Sequence, residues 1–97
     1  MRYLTIDGML SGTGIRDSFA GGYLDPEEVG LSLELAQRIQ KWVIEYETAH
    51  YLQFKDEAEN QRLDQEGVEI TRQARDQLPE SKIEYFSNAR MQKIAFK

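Results

Sequence analysis

The sequence contains no cysteine among its 97 residues, which removes disulfide bridges, thiolate metal ligands and thiol nucleophiles together. It contains one histidine, His50, so acid–base chemistry near neutral pH would rest on a single imidazole. No apolar run approaches the roughly eighteen residues that a membrane span needs. The opening Met1-Arg2-Tyr3-Leu4-Thr5-Ile6-Asp7 also lacks the long apolar centre of a signal peptide. The expectation is a cytoplasmic chain with no membrane partner.

Basic residues are in the minority as well. Twelve Lys and Arg face seventeen Asp and Glu, for a net charge of −5. That field repels phosphate backbones and attracts basic proteins, so direct nucleic-acid binding is disfavoured. The acid is concentrated in the middle: residues 25–66 hold eleven Asp/Glu against four Lys/Arg, while residues 67–97 hold four against six. Such a patch is either directed at a partner or is the solvated face of soluble helices.

A chain of this length fits one domain with one modest core. Leu4 and Ile6 alternate with Tyr3, Thr5 and Asp7, and Gly8 follows, so Arg2 to Asp7 is predicted as a strand. Six of the seven glycines precede residue 31, which makes 8–22 turn-rich, with room for a short strand near Gly14 to Asp17. Asp25-Pro26-Glu27-Glu28-Val29-Gly30 has an acidic cap, a first-turn proline and a terminal glycine, the pattern of a single helical turn. Ser32 then caps a long helix in which Leu35, Ile39, Trp42, Tyr46 and Ala49 share one face. A second helix is predicted from Asp56 or Glu57 to Leu78, stopped by Pro79, with Leu63, Gly67, Ile70, Ala74 and Leu78 inward. Gly67 on that face suggests a close helix crossing. Lys82 to Phe86 and Gln92 to Phe96 read as strands joined by a turn at 87–90. The order implies an α+β fold of two layers, with two long helices on one face of a small mixed or antiparallel sheet.

Residues able to run a reaction are scarce. His50 has Tyr46 and Glu47 as helical neighbours, a spacing that permits contact but specifies no chemistry, and a histidine at the border of an apolar stripe is more often a packed, hydrogen-bonded residue. Asp56-Glu57-Ala58-Glu59 and Asp64-Gln65-Glu66 lack the calcium-loop pattern and the imidazole or thiolate of a transition-metal site, and read as solvated acids of a helix start. Ser11-Gly12-Thr13-Gly14 lacks the lysine and the spacing of a phosphate-cradling loop. The expectation is no enzyme, no metal and no cofactor.

Two surfaces stand out instead. Ile44 and Tyr51, seven residues apart, lie opposite the buried stripe of the first helix, with Glu47 between them and Gln40 beside them. Exposed, they would form an apolar and acidic patch for a basic partner; otherwise the glycine-rich loop wraps the helix on both sides and covers them. Tyr51, Phe54 and the acids Asp56, Glu57 and Glu59 form a second patch at the helix junction, unless Phe54 belongs to the core. The candidate partner-binding residues are therefore Ile44, Glu47, Tyr51, Asp56, Glu57 and Glu59.

Five segments, Ser11 to Asp17, Gly21 to Pro26, Trp42 to Tyr51, Leu63 to Gly67 and Ile83 to Ser87, together span most of the chain. In them the chain resembles small bacterial immunity proteins of contact-dependent growth inhibition and related polymorphic toxin systems. The resemblance implies a cytoplasmic protein that binds one cognate toxin, commonly a basic nuclease acting on tRNA or DNA, and covers its active site. It transfers no functional residue. The alternative from charge and composition is an acidic adaptor module without a toxin partner.

Overall fold

In the computed structural model, which describes residues 1–96, the elements follow as β1 (Tyr3–Asp7), β2 (Ile15–Asp17), α1 (Leu33–Tyr51), α2 (Glu57–Gln77), β3 (Lys82–Ser87) and β4 (Gln92–Ile94). The sheet order is β2-β1-β3-β4. Strand β1 pairs antiparallel with β2 and parallel with β3, and β3 pairs antiparallel with β4, so the sheet is mixed. A parallel pair needs a long crossover, and the helical hairpin supplies it.

Each helix begins where a side chain satisfies its open amides. Ser32 Oγ accepts from Leu35 N at 3.1 Å, and Asp56 Oδ1 accepts from Glu59 N at 3.1 Å. Between the helices Gln53 and Phe54 both adopt left-handed φ, at 58° and 55°. That costs about 1 kcal/mol or more per non-glycine residue, and the packing of the Phe54 ring edge-on to His50 and Tyr46 offsets it. The helices run antiparallel: Ser32 meets Gln77 at one end of the pair, and Trp42 Nε1 donates to Leu63 O at 2.8 Å further along.

The register explains the core. Leu4 lies beside Ile83, and Ile6 beside Tyr85 and Ile15, so alternation puts all five on the face that meets the helices. There they join Leu35, Ile39, Trp42, Tyr46 and Ala49 of α1 and Leu63, Ile70 and Ala74 of α2, all buried. The expected stripes of both helices are therefore the ones observed, with Leu78 partly buried at the rim.

Three local expectations are corrected. Strand β4 ends at Ile94 instead of Phe96, because the Phe96 ring lies beneath the guanidinium groups of Arg72 and Arg75, 5.3 and 4.4 Å from its centroid. Strand β3 continues through Ser87, whose side chain is drawn inward by Asp64. Gly67 does not mark a helix crossing: a Cβ there would strike the ring of Tyr85, on β3. Its bare backbone lets the sheet, not α1, approach α2.

Gly67→Ala sets two effects against each other. Alanine gains about 1 kcal/mol of helix propensity, whereas forcing a methyl against a packed ring costs about 1–3 kcal/mol. We expect net destabilisation in urea unfolding; a variant more stable than its parent would show that the ring yields without cost.

Candidate functional site

On α1 the residues opposite the buried stripe remain in solvent. Ile44 is 60% exposed and Tyr51 71%. The glycine-rich loop does not wrap the helix on both sides: it closes on Ile39 and Val43, where Gly14, at φ +95°, has no room for a Cβ, and goes no further around. Glu47 sits half-buried between Ile44 and Tyr51 and has no ion-pair or hydrogen-bond partner among the described residues.

A groove of about 680 Å³ opens beside this face. One wall is a helical stripe formed by Leu33, Ala36, Gln40, Val43, Ile44 and Glu47; the other is the chain at 23–27 with Gly12 and Thr13. From Leu33 to Glu47 the helix rises about 21 Å at 1.5 Å per residue, so the groove follows nearly four turns. The loop wall is tied down at both ends. The single Thr13 hydroxyl proton is shared between Leu24 O, at 2.5 Å, and Ile15 O, at 3.0 Å. Asp7, 1% exposed, accepts from Tyr23 OH and from Arg16 Nε, each at 2.8 Å, and from Met9 N at 3.2 Å. Burial, then the hydrogen bond to Asp7, pushes the Tyr23 hydroxyl well above the ordinary tyrosine pKa.

The junction patch is different. Asp56 caps α2. Glu57 receives both terminal nitrogens of Arg90, and Glu59 receives Arg62 through Nε at 2.6 Å and Nη2 at 2.8 Å. These guanidinium contacts hold both glutamates below their ordinary pKa. All three acids are in place and outward, but each already has a partner within the chain. Phe54 is half-buried against the core, the packing role that was its alternative.

His50 is part of the scaffold: its Nε2 meets Gly8 O at 2.8 Å, and its ring packs against Tyr46 and Phe54. Ser11 to Gly14 leads out of a turn closed by Gly12 N on Met9 O at 3.0 Å, and its glycines make room for Tyr23 and Ile39. Among the described residues no group of three or more His, Cys, Asp or Glu side chains is placed to hold a metal ion, and no helix is long and apolar enough to cross a membrane.

Asp64 and Glu66 are not solvated helix-start acids, as their sequence context suggested; they lie mid-helix and face inward partners. Glu66 accepts Arg38 at 2.6 and 2.8 Å. Asp64 gathers three hydroxyls: Tyr46 OH at 3.0 Å, Tyr85 OH at 2.6 Å and Ser87 Oγ at 2.8 Å, with Arg90 Nε 3.8 Å away. The sequence signal for this hub was available, since Asp64 lies one residue beyond the inward Leu63 and Tyr85 alternates with Ile83, but it required knowing which strand lies beneath α2.

Residues 12–88 match the family described as Serratia CdiI immunity protein-like. The chain belongs to that family. Its work is therefore immunity, the binding and neutralising of a cognate toxin. The matched span runs from the turn at Gly12 to the end of β3 and so includes both walls of the groove. Comparison with the curated proteins and with the solved structures gives no match.

Two outcomes follow from the Asp64 hub. Asp64→Ala leaves three hydroxyls without their acceptor, and should cost about 3 kcal/mol in chemical unfolding; a loss near zero would mean that water replaces the carboxylate. Burial raises the pKa of Tyr46 and Tyr85 as well as Tyr23. A raised pKa means that the folded state binds the proton more tightly, so this stability is complete below the ordinary value of 10.0 and disappears as pH rises above it. In a Tyr3→Phe, Tyr51→Phe variant, which removes the two exposed tyrosines, alkaline titration should show tyrosinate absorbance appearing together with loss of helical circular dichroism, not before it.

Proposed function

We propose that this immunity protein is a cytoplasmic inhibitor of a basic nuclease toxin acting on tRNA or DNA. It binds through an acidic, partly apolar surface made by the outer face of α1 and the helix junction, with Ile44, Glu47, Tyr51, Asp56, Glu57 and Glu59 as its contact residues. The reading rests on the family match over residues 12–88. It is supported by the net charge of −5 and by two large apolar side chains, Ile44 and Tyr51, standing in solvent two helical turns apart.

The physics of such an inhibitor is simple. A nuclease that grips phosphates presents positive charge around its active site. An acidic body approaching it is steered electrostatically, which raises the association rate. Tightness then comes from a few desolvated anchors, and a tyrosine with little conformational entropy to lose is well suited to that role. The toxin is blocked because its substrate can no longer reach the site.

Growth supplies the direct test. Cells expressing the toxin encoded immediately upstream should recover when this protein is co-expressed, and continued death with every adjacent toxic reading frame would overturn the reading. In vitro, Tyr51→Ala should weaken toxin binding by about tenfold or more while leaving the melting temperature unchanged, because the side chain is 71% exposed. The association rate should also fall steeply with added salt; a rate indifferent to salt would remove the electrostatic part of the proposal.

A further inference from the structure

We propose that the groove between α1 and the 23–27 wall is the specificity subsite of this inhibitor, and that it receives an extended lysine- or arginine-bearing segment of the toxin. The inference rests on the immunity reading and deepens it: it assigns to the glycine-rich loop, which has no role in the chemistry sought above, the task of forming one side of the binding site.

Charge partition carries the case furthest. Of the eleven acids in residues 25–66, seven are engaged within the chain. Asp25 and Asp56 accept backbone amides, Glu45 and Glu59 share Arg62, Glu57 holds Arg90, Asp64 holds its hydroxyls and Glu66 holds Arg38. The four without a partner among the described residues are Glu27, Glu28, Glu34 and Glu47. Glu27 and Glu47 line the groove, and Glu28 and Glu34 are each next in sequence to a lining residue. The lining contains no Lys, Arg or His. Within residues 25–66 the acids without an internal partner are thus those that line the groove or adjoin its lining in sequence, while the junction patch is largely neutralised from within; the exposed Asp76 and Glu80, further along the chain, lie outside the groove.

Shape agrees with charge. Between the acidic positions the groove is lined by Leu24, Pro26, Leu33, Val43 and Ile44, surface suited to the aliphatic stems of lysine or arginine, whose charged heads would reach the rim carboxylates. At about 3.3 Å per residue, a groove of about 21 Å takes roughly six residues of extended chain. The wall is held before any partner arrives, by Asp7 on Tyr23 and Arg16 and by Thr13 on Leu24, so little ordering remains to be done on binding.

Binding of the purified toxin domain encoded beside this chain, measured by titration calorimetry at two salt concentrations, tests the assignment. The double substitution Glu27→Lys with Glu47→Lys should weaken binding by about tenfold or more and flatten its salt dependence. Gln40→Trp, at an exposed position midway along the groove, should weaken binding to a similar degree without changing the charge. Glu80→Lys, at an exposed acid outside the lining, should leave binding unchanged, and circular dichroism checks that each variant is folded. Should folded groove variants bind as tightly as the parent, the subsite is wrong although immunity stands; should the parent itself fail to bind the toxin, the immunity reading fails with it.

Discussion

The Tyr85 ring, seated on the bare backbone of Gly67 with its hydroxyl on Asp64, is the contact on which the arrangement of this molecule depends. It joins β3 to α2 directly. Tyr46 reaches the same Asp64 oxygen from α1 at 3.0 Å, and Trp42 packs against both tyrosines, edge-on to the Tyr46 ring at 5.3 Å and tilted to the Tyr85 ring at 6.0 Å. One carboxylate and three rings therefore fix the helical hairpin against the sheet. Because a partly buried carboxylate with three hydroxyl donors has few well-satisfied geometries, the rotation of α1 about its axis is set as well. That rotation is what turns Leu33, Gln40, Ile44 and Glu47 outward.

A second buried acid does the corresponding work on the other side of the sheet. Strand alternation sends Asp7 to the face away from the helices, where Arg16 and Tyr23 enclose it. Leaving any of these groups unpaired would be costly in so buried a place, so the chain between β2 and α1 is drawn against the sheet edge, where Arg16 and Tyr23 also form a bridge. The groove is the gap between two independently anchored structures: a helix fixed by Asp64 and a loop fixed by Asp7.

Much of this was legible in the sequence because local rules and global packing agree. The Ser32 cap, the stripe from Leu35 to Ala49 and the alternation of Leu4 with Ile6 each follow from a local pattern, and each holds in the structure. The outward positions of Ile44 and Tyr51 came from the same helical geometry. What could not be read were contacts between elements distant in the chain. Gly67 announced a close approach but not its partner, since helix and strand make the same demand for a missing Cβ. Asp64 and Glu66 looked like surface acids because pairing with Tyr85 and Arg38 depends on register and helix azimuth, which no short window contains. The groove was invisible for the same reason: its two walls come from segments with unrelated patterns.

Charge counting by itself does not show which acids already hold a partner. The run Asp56-Glu57-Ala58-Glu59 is the most conspicuous acidic feature of the sequence, yet each of its carboxylates is occupied by a cap or a guanidinium. An arriving lysine or arginine would have to displace an existing partner there, gaining only the difference between two similar ion pairs, and exposed pairs are worth about 0–1 kcal/mol to begin with. At Glu27 and Glu47 nothing has to be displaced, and the adjoining apolar walls lower the local dielectric, so the same charge interaction is stronger. Net negative charge attracts any cation from every direction; the uneven distribution of internal partners determines where on the surface that attraction remains available.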